Sequence, residues 1–294
     1  MTLKDFKRWL KKNYSYSDLT IINYTSQVNL LHKYYSDFEK LSEKDMVDSA
    51  REFVVEKKSD KKRYLDKSIY HRVYAIKKYL EYLGLDINWI DREFRKTVFL
   101  SEREHIETIT YSQVVQLMDE FELAEERELK ILIALMYDTG ARIRSLLKLE
   151  TKNVQEDEGD LLIYITEKRG KKEKKFMSKN TARLLQQFKK DAESKNRKYI
   201  FMDKDRPSVY DLNAKYYQIW TKLKNMSRKV LGIDMGVSPH WFRRGGAMEI
   251  YKKDKSLIKA QKFLGHTSLD STRRYLMADA EELRSVITSK KRDW

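Results

Sequence analysis

Only nine glycines and two prolines punctuate the 294 residues of this chain, so its turns are few and the stretches between them read as long regular elements. Apolar residues in those stretches recur at helical spacing. Over residues 1–92 the pattern predicts four amphipathic helices. Thr2 and Asp5 have the spacing of a capping box ahead of a stripe of Leu3, Phe6, Trp9 and Leu10. Ile21, Tyr24, Val28, Leu31 and Tyr35 mark the second helix, and Ser42 caps a third that carries Met46, Ala50 and Phe53. In the fourth, Ile69, Val73, Ile76, Leu80 and Leu83 follow steps of four and three until Gly84 stops the helix. Four such helices make a small bundle.

The periodicity lapses over residues 93–109, where Ser101, Glu102, Arg103, Glu104 and His105 read as an interdomain linker. Thr110, with Gln113 as a capping-box partner, opens a second domain that runs to residue 294. That domain is helical apart from two strands, residues 161–166 and 173–178, around a basic turn that contains Gly170. Residues 199–202 are expected to add a third strand. A long helix capped between Ser208 and Asp211 carries Ile219, Trp220, Leu223 and Met226. The fold class is therefore mainly α, with a small β-sheet or hairpin in the second domain.

Charge narrows the function. With 61 Lys and Arg against 45 Asp and Glu, the chain carries a formal charge of +16, which favours polyanions and nucleic acid above all. An anionic membrane surface or simple solubility also fits that excess. The absence of cysteine excludes disulfides and thiolate metal sites. No apolar run approaches the roughly 18 residues of a membrane span, and Met1 to Asp5 lack the apolar stretch of a signal peptide, so the expected compartment is the cytoplasm.

Arg142 follows the turn Thr139, Gly140, Ala141, between an apolar helix and another apolar run. A guanidinium fixed at such a corner can grip two phosphate oxygens in a fork, or it can pair between helices. His240 and Arg243 follow Pro239, a residue suited to the first turn of a helix, and their spacing puts an imidazole and a guanidinium on one face. A metal is a poor occupant for that pair, because Arg243 repels it. His266 follows Gly265, and Ser268 is placed to cap a further helix bearing Arg273, Arg274 and Tyr275. A tyrosine on a helix is ordinarily core or surface. What singles out Tyr275 is its company: a phenol with a pKa near 10 becomes a useful nucleophile only beside cations and a base, which Arg142, Arg243, His240 and His266 can supply. The basic turn from Glu167 to Lys175, with Lys168, Arg169, Lys171, Lys172 and Lys174, is either a solvated hairpin tip or a β-ribbon that enters a DNA groove, where one lysine can protonate a departing oxygen.

In their order and spacing, the Thr-Gly-x-Arg box, the lysine hairpin, the His-x-x-Arg box and the Leu-Gly-His run followed nine residues later by tyrosine resemble the catalytic domain of the tyrosine recombinase, or phage integrase, family. The likeness covers residues 105–290. The N-terminal helices are similar to that family's core-binding domain, as in simple two-domain Xer-type, archaeal or viral members. The resemblance implies that Tyr275 forms a 3′-phosphotyrosine and releases a 5′-hydroxyl. It further implies that Arg142 and Arg243 clamp the non-bridging oxygens, His266 adds a hydrogen bond, His240 is the general base and Lys168, with Lys171 as rival, the general acid. No cofactor or metal is implied. The implied partners are double-stranded DNA and a homotetramer on two DNA sites, with a last helix at residues 279–288, carrying Leu283 and Val286, exchanged between protomers; packing on its own domain is the other reading of that helix. Two positions depart from the family pattern: Ser145 stands where an acid usually follows the first arginine, and Arg244 where a histidine often follows the second. A type IB topoisomerase-like enzyme shares the chemistry without needing paired sites. A non-catalytic DNA-binding derivative would be expected to have lost Tyr275 or an arginine.

Overall fold

Helices begin where the sequence supplies side-chain caps. The computed structural model of the chain describes residues 2–56, 66–94, 108–121, 126–167, 170–233, 236–269 and 272. Thr2 and Asp5 close a reciprocal capping box at α1 (Leu3–Asn13); Ser17 caps α2 (Asp18–Tyr34); and the Asp45 amide donates to the Ser42 hydroxyl at the start of α3 (Glu43–Glu56) at 3.2 Å. α4 (Asp66–Tyr82) ends just before Gly84, whose φ of +74° takes the chain out of the helix. The chain divides into two units, Met1–His105 and Ile106–Trp294.

In the first unit the expected stripes converge on one core, in which Phe6, Leu10, Val28, Leu31, Ile76 and Leu80 are fully buried. The four expected helices are joined by a fifth, α5 (Asn88–Phe94). Asp86 accepts the Asn88 amide at 2.9 Å at its start, and Trp89 and Ile90 enter the same core. The linker expected over 93–109 falls mainly on residues outside those described.

The second unit opens with α6 (Tyr111–Asp119), behind the Thr110 and Gln113 capping box. Next come the apolar α7 (Arg127–Thr139) and the short α8 (Ile143–Leu147). A three-stranded antiparallel sheet follows in the order β1 (Val154–Asp157), β2 (Asp160–Thr166), β3 (Lys172–Phe176). β2 and β3 match the two expected strands, but the third does not lie at 199–202. Tyr199 makes only an isolated bridge to Glu150, and the remaining strand is β1, paired through Val154 with Ile163. Its acidic, solvent-facing residues hide a hairpin turn at Glu158 and Gly159, whose φ values of +52° and +83° fit the left-handed turn that tight hairpins prefer.

Helices α9 (Lys179–Ser194), α10 (Val209–Leu231), α11 (Pro239–Asp254) and α12 (Leu257–Leu264) complete the described part. Ser208 and Asp211 form the box that starts α10, and Pro239 occupies the first turn of α11. No described helix is long and apolar enough to cross a membrane. The helix expected at 279–288 lies outside the described residues.

Candidate active site

The corner that carries Arg142 is rigid because each residue before it is committed. Thr139 is buried; its hydroxyl donates to the Leu135 carbonyl at 2.6 Å and accepts the Ala141 amide at 3.1 Å. Gly140 takes φ of +63°, and a Cβ placed on it would lie 2.6 Å from the Phe263 ring. Left-handed backbone and close ring contact both demand glycine here. Gly140→Ala is therefore expected to lower the unfolding free energy by about 2 kcal/mol, read from denaturant unfolding.

Arg243 reaches the same corner from α11. That helix lies on α7 so closely that a side chain at Gly246 would collide with the Tyr137 carbonyl, so the glycine permits the approach. Arg243 is only 1% exposed, an unusual place for a charge. Its Nη1 donates to the Gly140 carbonyl and its Nη2 to the Leu264 carbonyl. Glu167, one residue beyond β2, faces both arginines. Its carboxylate accepts from Arg142 Nη1 and from the Arg142 amide at 3.4 Å, and lies 3.9 Å from Arg243 Nη1.

β3 forms the next wall. Strand alternation sends Lys172, Lys174 and Phe176 to solvent and turns Glu173 and Lys175 inward. Lys174 pairs with Asp157 across the sheet. Lys175, expected from the sequence among the cations of the tip, is instead buried: its Nζ donates to the Phe263 carbonyl at 2.5 Å and sits 3.0 Å from Glu173. Burial pushes its ammonium pKa down against the attraction of Glu173. Burial also pushes the Glu173 carboxyl up, but bonds to Lys171, at 2.8 Å, and to Lys175 outweigh it and hold the pKa below its ordinary value. These groups line a cleft of about 390 Å³ together with Gln261, Lys262 and His266.

Gly265 ends α12 in a left-handed cap and delivers His266 into that cleft. Gln261 donates to the His266 carbonyl at 3.0 Å, and His266 Nδ1 lies 3.1 Å from the hydroxyl of the fully buried Thr272. Burial, followed by the charges of Arg243, Arg142 and Lys175, lowers the His266 pKa to about 4. The imidazole is thus neutral at physiological pH. Because its folded pKa lies below the unfolded value of about 6.5, its contribution to stability is complete above that pH and is lost as pH falls towards 4. Titration of the imidazole proton signals should show His266 with an acid-shifted midpoint, and an anion seated between the arginines should move that midpoint upward.

Arg142, Arg243 and His266 are thus brought to one place from three separate elements. His240 lies on the first turn of α11, one turn before Arg243, with its side chain exposed. Lys171 and Lys172 are exposed at the hairpin. Lys168, Arg169 and Tyr275 lie outside the described residues. Sequence reading assigned no role to Glu167, Glu173 or Thr272. Glu167 was marked by register: Ile163, Ile165 and Glu167 share the buried face of β2, and a carboxylate in that row needs a cation. Among the described residues, no three His, Asp or Glu side chains gather to hold a metal ion.

Comparison with known proteins bears on the same region. The model of the phage integrase family matches residues 107–282. A tyrosine recombinase XerA from Saccharolobus solfataricus is 26% identical over 226 residues, covering 77% of this chain and 68% of that protein. A tyrosine recombinase XerC from Staphylococcus epidermidis is 20% identical over 295 residues, covering 96% and 94%. Among solved structures, XerH site-specific recombinase bound to its difH substrate in a pre-cleavage complex superposes with a TM-score of 0.64, at 18% identity, over 99% of this chain and 85% of that one.

Proposed function

The chain belongs to the phage integrase family, and from that premise we propose that it is a site-specific DNA recombinase that cuts and rejoins duplex DNA through a 3′-phosphotyrosine at Tyr275. The observation that carries the reading is the convergence of Arg142 and Arg243 on one corner, beside a neutral His266 that itself lines the lysine-rich cleft. Paired guanidiniums held in place before the substrate arrives suit the two non-bridging oxygens of a phosphodiester, whose charge grows as the tyrosine attacks.

The step is a transesterification. The Tyr275 oxygen bonds to phosphorus as the bond to the 5′ oxygen breaks. His240 takes the phenolic proton and Lys168 gives one to the departing oxygen. With Nδ1 of His266 accepting from the Thr272 hydroxyl, Nε2 carries the ring proton and donates it to a phosphate oxygen. The phosphotyrosine preserves the ester bond, so a 5′-hydroxyl from a second duplex reverses the sequence and rejoins the strands. Lys171, Lys172 and Lys174 at the hairpin supply backbone contacts that carry no base preference. The N-terminal bundle embraces the duplex as a core-binding domain, and four chains act on two sites, with the segment 279–288 passing between protomers.

A duplex nicked just beyond the cleavage point tests this reading. Loss of the short 5′-hydroxyl fragment should trap the chain on DNA, and peptide mapping should locate the adduct at Tyr275. Joining of strands from two different duplexes is the expected second activity; relaxation of a supercoiled circle without any such joining would instead indicate a topoisomerase-like enzyme.

A further inference from the structure

Two guanidiniums drawn from different helices repel each other until the phosphate that they are to share is present, so something else must fix their spacing in the free protein. Glu167 occupies that position. Its side chain is 4% exposed, against 24% for Arg142, so the carboxylate lies behind the clamp and leaves the outer part of Arg142 to solvent. It meets Arg142 at both the guanidinium and the main-chain amide, and it faces Nη1 of Arg243. Ser145, three residues after Arg142, brings no charge to the same corner. The main chain of Glu167 is committed as well. Its amide donates to the Lys171 carbonyl at 2.8 Å, and its carbonyl accepts the Gly170 amide at 3.2 Å, which closes the hairpin tip.

We propose that Glu167 is the positioning residue of the phosphate clamp: one buried carboxylate that sets the spacing of Arg142 and Arg243 while its backbone fixes the root of the hairpin. The inference rests on the recombinase reading given above. An acid placed three residues after Arg142 could reach only from α8. An acid at the end of β2 ties the clamp to the hairpin, so that one residue holds both the arginines and the root of the turn. Glu167 touches no reacting atom; it acts through the groups that do.

Single-turnover cleavage of a nicked duplex, measured beside equilibrium binding of the intact duplex, tests this. Glu167→Gln keeps the shape and removes the charge. It should slow cleavage by about 100-fold, the order expected when reacting groups are displaced by about an ångström, and leave DNA affinity within about threefold. In an Arg142→Ala background the same change should cost at most about tenfold more, clearly less than in the parent, since the nearer of its two partners is gone and only Arg243 remains. Glu167→Asp keeps the buried charge, and with it the fold, while withdrawing the carboxylate by one methylene; cleavage about tenfold slower or worse is expected. Parental cleavage by Glu167→Asp, faster cleavage by Glu167→Gln, or an undiminished loss in the Arg142→Ala background would each overturn the proposal; faster cleavage would mean that the carboxylate competes with phosphate. The parent protein separates the two levels. If it forms no adduct, the recombinase reading falls and this one with it; if it cleaves and the Glu167 variants cleave equally well, only the positioning role is lost.

Discussion

Tyr275→Phe should bind duplex DNA as the parent does and leave no covalent adduct on a nicked substrate, a loss beyond about 10⁴-fold. The substitution removes a single oxygen and keeps the ring, so fold and affinity give no competing explanation. The phenol is a weak nucleophile in water, with a pKa near 10. In the proposed mechanism its reactivity is borrowed from Arg142, Arg243 and a base, and none of these can attack phosphorus in its place. The measurement is the protein–DNA band that survives denaturation, read beside a binding isotherm on the same duplex. An adduct persisting in the variant would sink the assignment of the nucleophile and redirect it to another of the 19 tyrosines.

Arg243→Lys should damage stability and chemistry together. The guanidinium serves the Gly140 carbonyl and the Leu264 carbonyl and faces Glu167, three directions that a planar fork reaches and an ammonium on a flexible stem does not. At 1% exposure, the groups left without a partner have no water to turn to. Breaking a buried ionic arrangement of this kind typically costs about 3–5 kcal/mol, so denaturant unfolding should show a loss of about 3 kcal/mol for the lysine variant. Cleavage should fall by about 10³-fold even under conditions where the chain remains folded, because a fixed donor to the developing charge has been displaced. Arg142, which is more exposed and among the described residues pairs with Glu167, should lose cleavage with a smaller loss of stability.

Much of the fold was legible because its signals are local. Capping pairs at Thr2 and Asp5, Thr110 and Gln113, and Ser208 and Asp211 each need only four consecutive residues, and each opens a helix where expected. β1 escaped notice because its one buried residue, Val154, precedes three exposed ones, which leaves no alternation to detect. Lys175 was misjudged for a related reason. In a run of like charges, composition suggests a solvated tip, and only the pairing of β3 with β2 shows which lysine turns inward. At the site, Arg142, Arg243 and His266 were visible as motifs. At Glu167 strand alternation marks only a buried carboxylate that needs a cation; which cations answer it depends on contacts across 25 residues to Arg142 and across the fold to Arg243, and no spacing rule encodes those.

The two carbonyls that hold Arg243 share a further property. Gly140 is the cap of α7 and Leu264 the last residue of α12, so the guanidinium rests where two helices end, against the negative poles of two aligned rows of peptide dipoles. Those poles act as a dry hydration shell fixed by the backbone. A charge solvated in this way need not shed water or swing into place when DNA arrives, nor does it have to relax again when the strands are rejoined. In the proposed reaction the same environment would serve phosphodiester and phosphotyrosine alike, as a step that must run equally well in both directions requires.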